Sequence, residues 1–127
     1  MPELASYTPP VPRVARRVTV DLHGFDVLSA VDAAVSRVED AYRNGYAEIE
    51  LLHGAADVQS PVEEGRGRIK WELRRLYESG RFDGWIDRRH SWPRAGSLVL
   101  RLKANPRARS EQWRPDPHRR HRGAGFE

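Results

Sequence analysis

Asp21 and His23 are the two residues of this sequence whose types and spacing offer the clearest chemistry. They stand two positions apart in an alternating, β-branched segment, so their side chains share one face of an extended chain. A carboxylate can orient an imidazole that takes up a proton, or the two groups can share a divalent metal. Either arrangement activates water or a hydroxyl against a phosphodiester. The residues alone leave both arrangements open, together with a purely local role in a turn.

A second histidine, His53, stands in the same local pattern. Like His23, it ends a predicted strand and precedes a glycine, Gly54 in this case and Gly24 in the first. A histidine at a neighbouring strand end can act as general acid to the base of the first site. A histidine before glycine also occurs as an ordinary turn residue, and the sequence does not choose between these roles. The candidate catalytic residues are therefore Asp21, His23 and His53.

A glycine- and arginine-rich segment, residues 65–68, is the candidate phosphate-binding element. It precedes a predicted helix, where unbonded backbone amides, the helix dipole and guanidinium groups all favour an anion. A flexible loop with solvated arginines is the alternative interpretation. The candidate nucleic-acid-binding residues are Gly24, Gly54, Gly65, Arg66, Gly67, Arg68 and Lys70. One carboxylate and two histidines are too few to assign a metal site, and the sequence leaves Mg²⁺ or Mn²⁺ open as a cofactor.

Hydrophobic periodicity predicts the elements that must position these residues. In order, they are a strand over 17–22, a helix over 28–42 capped by Asp26, a strand over 48–52, a helix over 69–77, and strands over 82–88 and 97–103. This order predicts an α/β fold, a βαβαββ two-layer sandwich with a mixed four-stranded sheet and two helices, whose first two strands are parallel. Ligands of such sheets gather beyond the carboxyl ends of the strands. Both His-Gly turns and the glycine-rich helix start should therefore meet there.

Composition bounds the organisation of the chain. With 127 residues, 39% hydrophobic and 31% charged, it predicts one domain over 17–103. We expect an extended, proline-containing arm over 1–16 and a basic disordered tail over 104–127. Four tryptophans are present. Trp92, in the connection over 91–96, is the best candidate for an exposed aromatic platform, and Trp113 in the tail could serve in the same way.

Charge and cysteine content narrow the function classes. The absence of cysteine excludes disulfides, thiolate metal sites and a thiol nucleophile, and a net charge of +4 favours a polyanionic partner. The sequence lacks an apolar run long enough to span a bilayer, and its start lacks the pattern of an export signal. We therefore expect a cytoplasmic protein with a nucleic-acid partner and no membrane partner. The oligomeric state stays open.

The run Val20-Asp21-Leu22-His23-Gly24, a helix ending at Gly45, and a strand leading into His53-Gly54 resemble the Smr domain, the small MutS-related domain, over residues 17–103. The resemblance implies a βαβαββ fold similar to the C-terminal domain of translation initiation factor three. It also implies an endonuclease that nicks DNA, including branched DNA, or cleaves structured RNA, with a role in DNA repair or RNA processing.

Residue by residue, the resemblance assigns Asp21 and His23 to the catalytic pair of the family and Gly24 to its turn glycine. The second family motif is a compact His-Gly-x-Gly-x-Gly, which is split in this chain. His53-Gly54 match its first half, Gly65 and Gly67 match its second half, and an extended loop lies between them.

Three functions compete at this point. The first is an endonuclease that uses the predicted catalytic and phosphate-binding residues. The second is a non-catalytic module that binds structured DNA or RNA with the same surface and the basic tail. The third is an adaptor that binds another protein.

Overall fold

A computed structural model describes residues 17–108. The predicted arm over 1–16, and the part of the predicted tail over 109–127, lie outside the described residues. The strands are β1 (Arg17–Asp21), β2 (Glu48–Leu52), β3 (Trp92–Pro93) and β4 (Ser97–Arg101), and the helices are α1 (Val27–Arg43) and α2 (Arg68–Glu78). They form a mixed four-stranded sheet with two helices, which confirms the predicted class and order of elements.

The sheet has the strand order β1-β2-β4-β3. β1 and β2 are parallel, as predicted, and β4 runs antiparallel to both of its neighbours, β2 and β3. Alternate residues of β1 and β2 are buried, because one face of the sheet packs against the helices. As β1 and β2 end side by side, the turns that follow them lie next to each other.

Local sequence explains why α1 begins and ends where it does. The Asp26 carboxylate accepts a hydrogen bond of 2.8 Å from the Ser29 amide and caps the first turn. Small residues spaced along one face let the helix approach the sheet closely, and they are fully buried: Ala30, Ala34, Val38 and Ala41. The chain leaves the helix through Gly45 at a φ of 76°, which favours glycine.

The predicted strand over 82–88 is wrong. Consecutive tight turns span this segment, with the Asp83 amide bonded to the Gly80 carbonyl and the Trp85 amide to the Phe82 carbonyl. Phe82 and Ile86 are buried, so the apolar pattern reports burial, while Asp83 and Gly84 disfavour strand pairing. The segment makes one bridge to the sheet, between residues 86 and 102.

The third strand is instead Trp92–Pro93, inside the segment predicted as a connection. It follows a short 3₁₀ helix, Arg88–His90, and pairs with Val99 and Leu98 of β4. It is the edge strand, where a proline is tolerated because its missing N–H faces away from the ladder.

The sheet face opposite the helices is charged. Arg17 and Arg101 bind Glu48 from either side, at 2.8 and 3.7 Å, and Glu50 accepts a hydrogen bond of 2.6 Å from Ser97 Oγ. These pairs cross three strands. The polar alternate positions of the strands therefore bind one another and leave the apolar ones to the core.

The first residues of the predicted tail, 104–108, continue the folded unit. Asn105 Nδ2 donates a hydrogen bond of 3.0 Å to the Tyr42 carbonyl near the end of α1. Neither helix of the described segment is long and apolar enough to cross a membrane.

Candidate active site at the ends of β1 and β2

One cleft of about 510 Å³ lies beyond the carboxyl ends of β1 and β2. It is lined by both His-Gly turns and by the start of α2, as the strand order predicts. From the predicted site residues, its lining contains His23, Gly24, His53, Gly54, Gly65, Arg66, Gly67 and Arg68. Asp21 and Lys70 stand just behind this lining: Asp21 is bonded to His23, and Lys70 to the carbonyl of Ala55.

Backbone conformation brings the two turns together. Gly24 and Gly54 have φ values of 91° and 73°, a region that L side chains rarely adopt. The amides of His53 and Gly54 both donate to the Gly96 carbonyl, at 3.1 Å each, which fixes the second turn against the loop before β4. A Cβ atom built on Gly54 would lie 3.7 Å from the His23 Cβ, so the two turns are in contact.

Asp21 and His23 form a hydrogen-bonded carboxylate–imidazole pair. His23 Nδ1 lies 2.6 Å from Asp21 Oδ1, and the same carboxylate oxygen accepts a 3.1 Å bond from the His23 amide. An ionised carboxylate has only acceptor atoms, so Nδ1 carries the proton and Nε2 is the acceptor. The His23 side chain is 65% exposed. Its ring therefore has a fixed tautomer and reaches solvent at the cleft.

His53 occupies a different environment although it ends the neighbouring strand. It is 4% exposed, and its Nδ1 lies 2.8 Å from the Gly54 carbonyl, to which it donates. Its Nε2 is buried and has no hydrogen-bond partner in the described part of the chain. Burial lowers the pKa of His53, and the cations Lys70 and Arg74 act in the same direction. The structure thus holds a neutral ring that fixes the second turn, an environment that disfavours the predicted role as general acid.

This burial predicts a pH dependence of stability. In the unfolded chain His53 becomes protonated near pH 6.5, whereas in the folded chain it becomes protonated only at lower pH. Below pH 6.5 the unfolded state therefore binds more protons than the folded state. The free energy of unfolding, measured with urea, should fall as the pH is lowered from 7 to 5, by up to about 1.4 kcal/mol per unit. His53→Asn should make this fall shallower. Parallel curves for the two proteins would contradict the assignment.

The loop over 55–64, which splits the second glycine motif in sequence, folds back and rejoins the motif in space. Lys70 Nζ donates to the carbonyls of Val58 and Ala55, at 2.6 and 3.3 Å, from a residue that is 2% exposed. Val58 packs against Gly67, where a built Cβ would come within 2.7 Å of the valine Cγ1. Lys70 therefore fixes the loop beneath the cleft surface, and its buried, carbonyl-bonded ammonium is in an environment that disfavours the predicted contact with a phosphate.

Arg66 also has a partner that the sequence does not identify. Its guanidinium binds both carboxylate oxygens of Asp57, at 2.7 and 3.0 Å, and this bidentate pair lowers the pKa of Asp57 to about 2. Three acids of the loop, Asp57, Glu63 and Glu64, are near enough in sequence to be its partner. The path of the loop decides which acid pairs with Arg66, and composition alone does not predict that path.

The two helices begin at the same cleft but differ in their capping. Asp26 places a carboxylate on the first amides of α1. The N-cap of α2 is Gly67, with a φ of 92°, and no side chain caps this helix. Among residues 17–108, the guanidinium of Arg68, its first residue, has one ion-pair partner, the Glu72 carboxylate at 3.9 Å. The Arg68 amide donates to the Gly65 carbonyl at 3.2 Å, and no backbone partner in residues 17–108 takes the amides of Ile69 and Lys70. These two amides and the Arg68 guanidinium are therefore the donors that the start of α2 offers to an anion.

Within residues 17–108, no three side chains of His, Cys, Asp or Glu come together as ligands for a metal ion. Comparison with protein-family models, with characterised proteins and with solved structures gives no match. The function of the cleft therefore has to be argued from its own residues.

Proposed function

We propose that this protein is an endonuclease that cleaves phosphodiester bonds of DNA or RNA in the cleft at the ends of β1 and β2. The observation that carries the proposal is the 2.6 Å bond between Asp21 and His23 at the edge of a cleft that an uncapped helix start also lines. One side of the cleft supplies a base and the other supplies donors for an anion. Phosphodiester cleavage requires both.

The Asp21–His23 pair acts as the base. Nε2 of His23 takes the proton of the attacking water or ribose hydroxyl as its oxygen forms a bond to phosphorus, and the P–O bond to the departing oxygen breaks. The departing oxygen takes a proton from the imidazolium or from solvent. Asp21 holds the tautomer that leaves Nε2 as acceptor, and its charge stabilises the imidazolium.

The start of α2 binds the phosphate. The backbone amides of Ile69 and Lys70 and the guanidinium of Arg68 face the developing charge, while the Lys70 ammonium and His53 act behind them by fixing the loop and the second turn. The helix already holds these amides in place. They can therefore replace the water around a phosphate without any side chain having to move.

The test is incubation of the purified chain with end-labelled branched DNA and with structured RNA, in Mg²⁺, Mn²⁺ or EDTA. We expect discrete products from at least one substrate, and the end groups identify the nucleophile, since a 2′,3′-cyclic phosphate marks attack by the ribose hydroxyl. Tight, salt-sensitive binding without any product would contradict the proposal and favour the non-catalytic binding module.

The Asp57–Arg66 pair predicts an uncommon gain of binding. Asp57→Asn removes the bidentate partner and releases the Arg66 guanidinium at the cleft, so nucleic-acid binding should tighten. The slope of log affinity against log salt should steepen by about 0.9 for a duplex, one phosphate contact. Arg66→Ala should change affinity less than Arg68→Ala, and Arg81→Ala, an exposed arginine three residues beyond the end of α2, is the control. An Asp57→Asn variant with wild-type affinity and salt slope would refute this.

The same proposal includes membership of the Smr family and a fold similar to the C-terminal domain of translation initiation factor three. Two observations support it. The mixed sheet has the expected order of elements, and the halves of the split glycine motif, His53-Gly54 and Gly65 with Gly67, line one cleft. A cytoplasmic location belongs to this proposal as well.

A further inference from the structure

A second cleft lies at the other end and other edge of the sheet. It has a volume of about 650 Å³ and is bordered by the 3₁₀ helix, by β3 and by the end of β4. Trp92 is 41% exposed there, one of only two large apolar residues in the described segment that are exposed. Its cross-strand partner is Val99, which is fully buried. An exposed tryptophan at an edge strand is a surface for stacking.

Two arginines, Arg89 and Arg101, and two acids, Glu48 and Asp87, line the cleft beside Trp92. Arg89 is exposed, and its guanidinium has no ion pair or hydrogen bond to any residue of the described range. Arg101 and Lys103 border the adjoining depression. The acidic residues of this region are engaged: Glu48 with Arg17 and Arg101, and Asp87 with His90 at 2.8 Å and, at longer range, with the charge of Arg89.

We propose that Trp92 and Arg89 form a stacking platform for a base and a phosphate of a single-stranded nucleic acid. The platform deepens the proposed function, on which it rests, by naming a second contact for the substrate strand. Base stacking on an aromatic ring with a guanidinium at the backbone is a general means of binding single strands, and it tolerates many sequences.

The position of the platform sets the length of strand that reaches both sites. Three strand spacings and about four residue rises separate the His23 turn from Trp92, on the order of 20 Å. At about 3.4 Å per nucleotide in a stacked strand, this is about six nucleotides. A substrate would therefore need a single-stranded flank of about this length to use the platform.

The test is fluorescence anisotropy of the full chain with a labelled 12-nucleotide single strand and with an abasic strand of the same length, each checked on a gel to be intact. We expect Trp92→Ala to weaken binding of the base-bearing strand about tenfold, the loss of one stacked base, and to leave the abasic strand unaffected. Trp92→Phe should retain most of the affinity. Arg89→Ala should reduce the salt slope for both strands by about 0.7, and Arg43→Ala, an exposed arginine of α1, is the control.

Three outcomes overturn the platform. They are a wild-type chain that does not bind the single strand at low salt, a Trp92→Ala variant that binds both strands like wild type, and a variant that loses both strands equally. Adenosine monophosphate should compete only at far higher concentration than the oligonucleotide. Equal competition would mean a site for free nucleotides and would contradict strand binding.

The platform and the nuclease can fail separately. Binding that depends on Trp92 but is not followed by cleavage would support the platform and refute the nuclease proposal. Cleavage with a substrate affinity that Trp92→Ala leaves unchanged would support the nuclease proposal and refute the platform.

Discussion

Replacement of His23 by alanine is expected to lower the cleavage rate about 10²- to 10⁴-fold at neutral pH, the range for loss of a general base. The cleavage rate of Asp21→Asn should lie between those of His23→Ala and wild type, because the imidazole remains while the charge that orients it is lost. Single-turnover rates on the substrate that the wild-type chain cuts best are the measurement. They report the chemical step without product release.

Binding provides the internal check on this prediction. Neither side chain is a phosphate ligand in the proposed mechanism, so both variants should bind the uncut substrate within about threefold of wild type, well under the 1.4 kcal/mol of a tenfold change. Asp32→Asn removes an exposed carboxylate from the outer surface of α1 and is the matched control. Equal loss of binding and cleavage would point to unfolding of the turn.

Gly67→Ala is expected to be the most destabilising substitution among the cleft glycines, by about 2–4 kcal/mol. The position combines a φ of 92° with a built Cβ only 2.7 Å from Val58 Cγ1, so strain and overpacking add. Gly24→Ala meets a φ of 91° but open space, and about 1 kcal/mol is expected from strain alone. Gly84→Ala meets neither backbone strain nor a close neighbour, so its free energy of unfolding should stay within about 0.5 kcal/mol of wild type. Urea midpoints measure all three.

A double variant separates the clash from the strain. Val58→Ala removes the atoms that a Cβ at Gly67 would meet, so Val58→Ala with Gly67→Ala should be less destabilised than the sum of the two single changes, by about 0.5–3 kcal/mol. Because Val58 belongs to the loop that rejoins the glycine motif, Gly67→Ala should also slow cleavage. Strict additivity would show that the loop is not packed on the helix start.

Local patterns were sufficient to predict β1, α1 and β2 and the meeting of the His-Gly turns, because each depends on short-range signals. Asp26 caps α1 by accepting a hydrogen bond from the amide three residues further along the chain. The alternation in residues 17–22 identifies the buried face of β1. In the segment over 82–88, Phe82 and Ile86 are in phase for a strand, but consecutive turns bury these two side chains and leave Gly84 between them exposed. In a short segment, two apolar residues in phase do not by themselves distinguish a strand from turns that bury the same residues.

The roles of the cations in the cleft depended on tertiary contacts. Arg66 and Lys70 have the residue types of a phosphate site, yet one is held by Asp57 and the other by backbone carbonyls of the loop. Arg68, two residues from each of them, keeps its guanidinium at the cleft. Partners nine to fifteen residues apart across an irregular loop leave no periodic signal, so sequence suggested all three alike.

Chemical rescue of His23→Ala by free imidazole tests the central claim most directly. The His23 side chain is exposed at the cleft, so its removal leaves a site open to solvent in front of Asp21. We expect the cleavage rate of the variant to rise with imidazole concentration, and to rise further when pH converts imidazolium to imidazole, while wild type is unaffected. A His23→Ala chain that cuts as fast as wild type without imidazole would contradict the account.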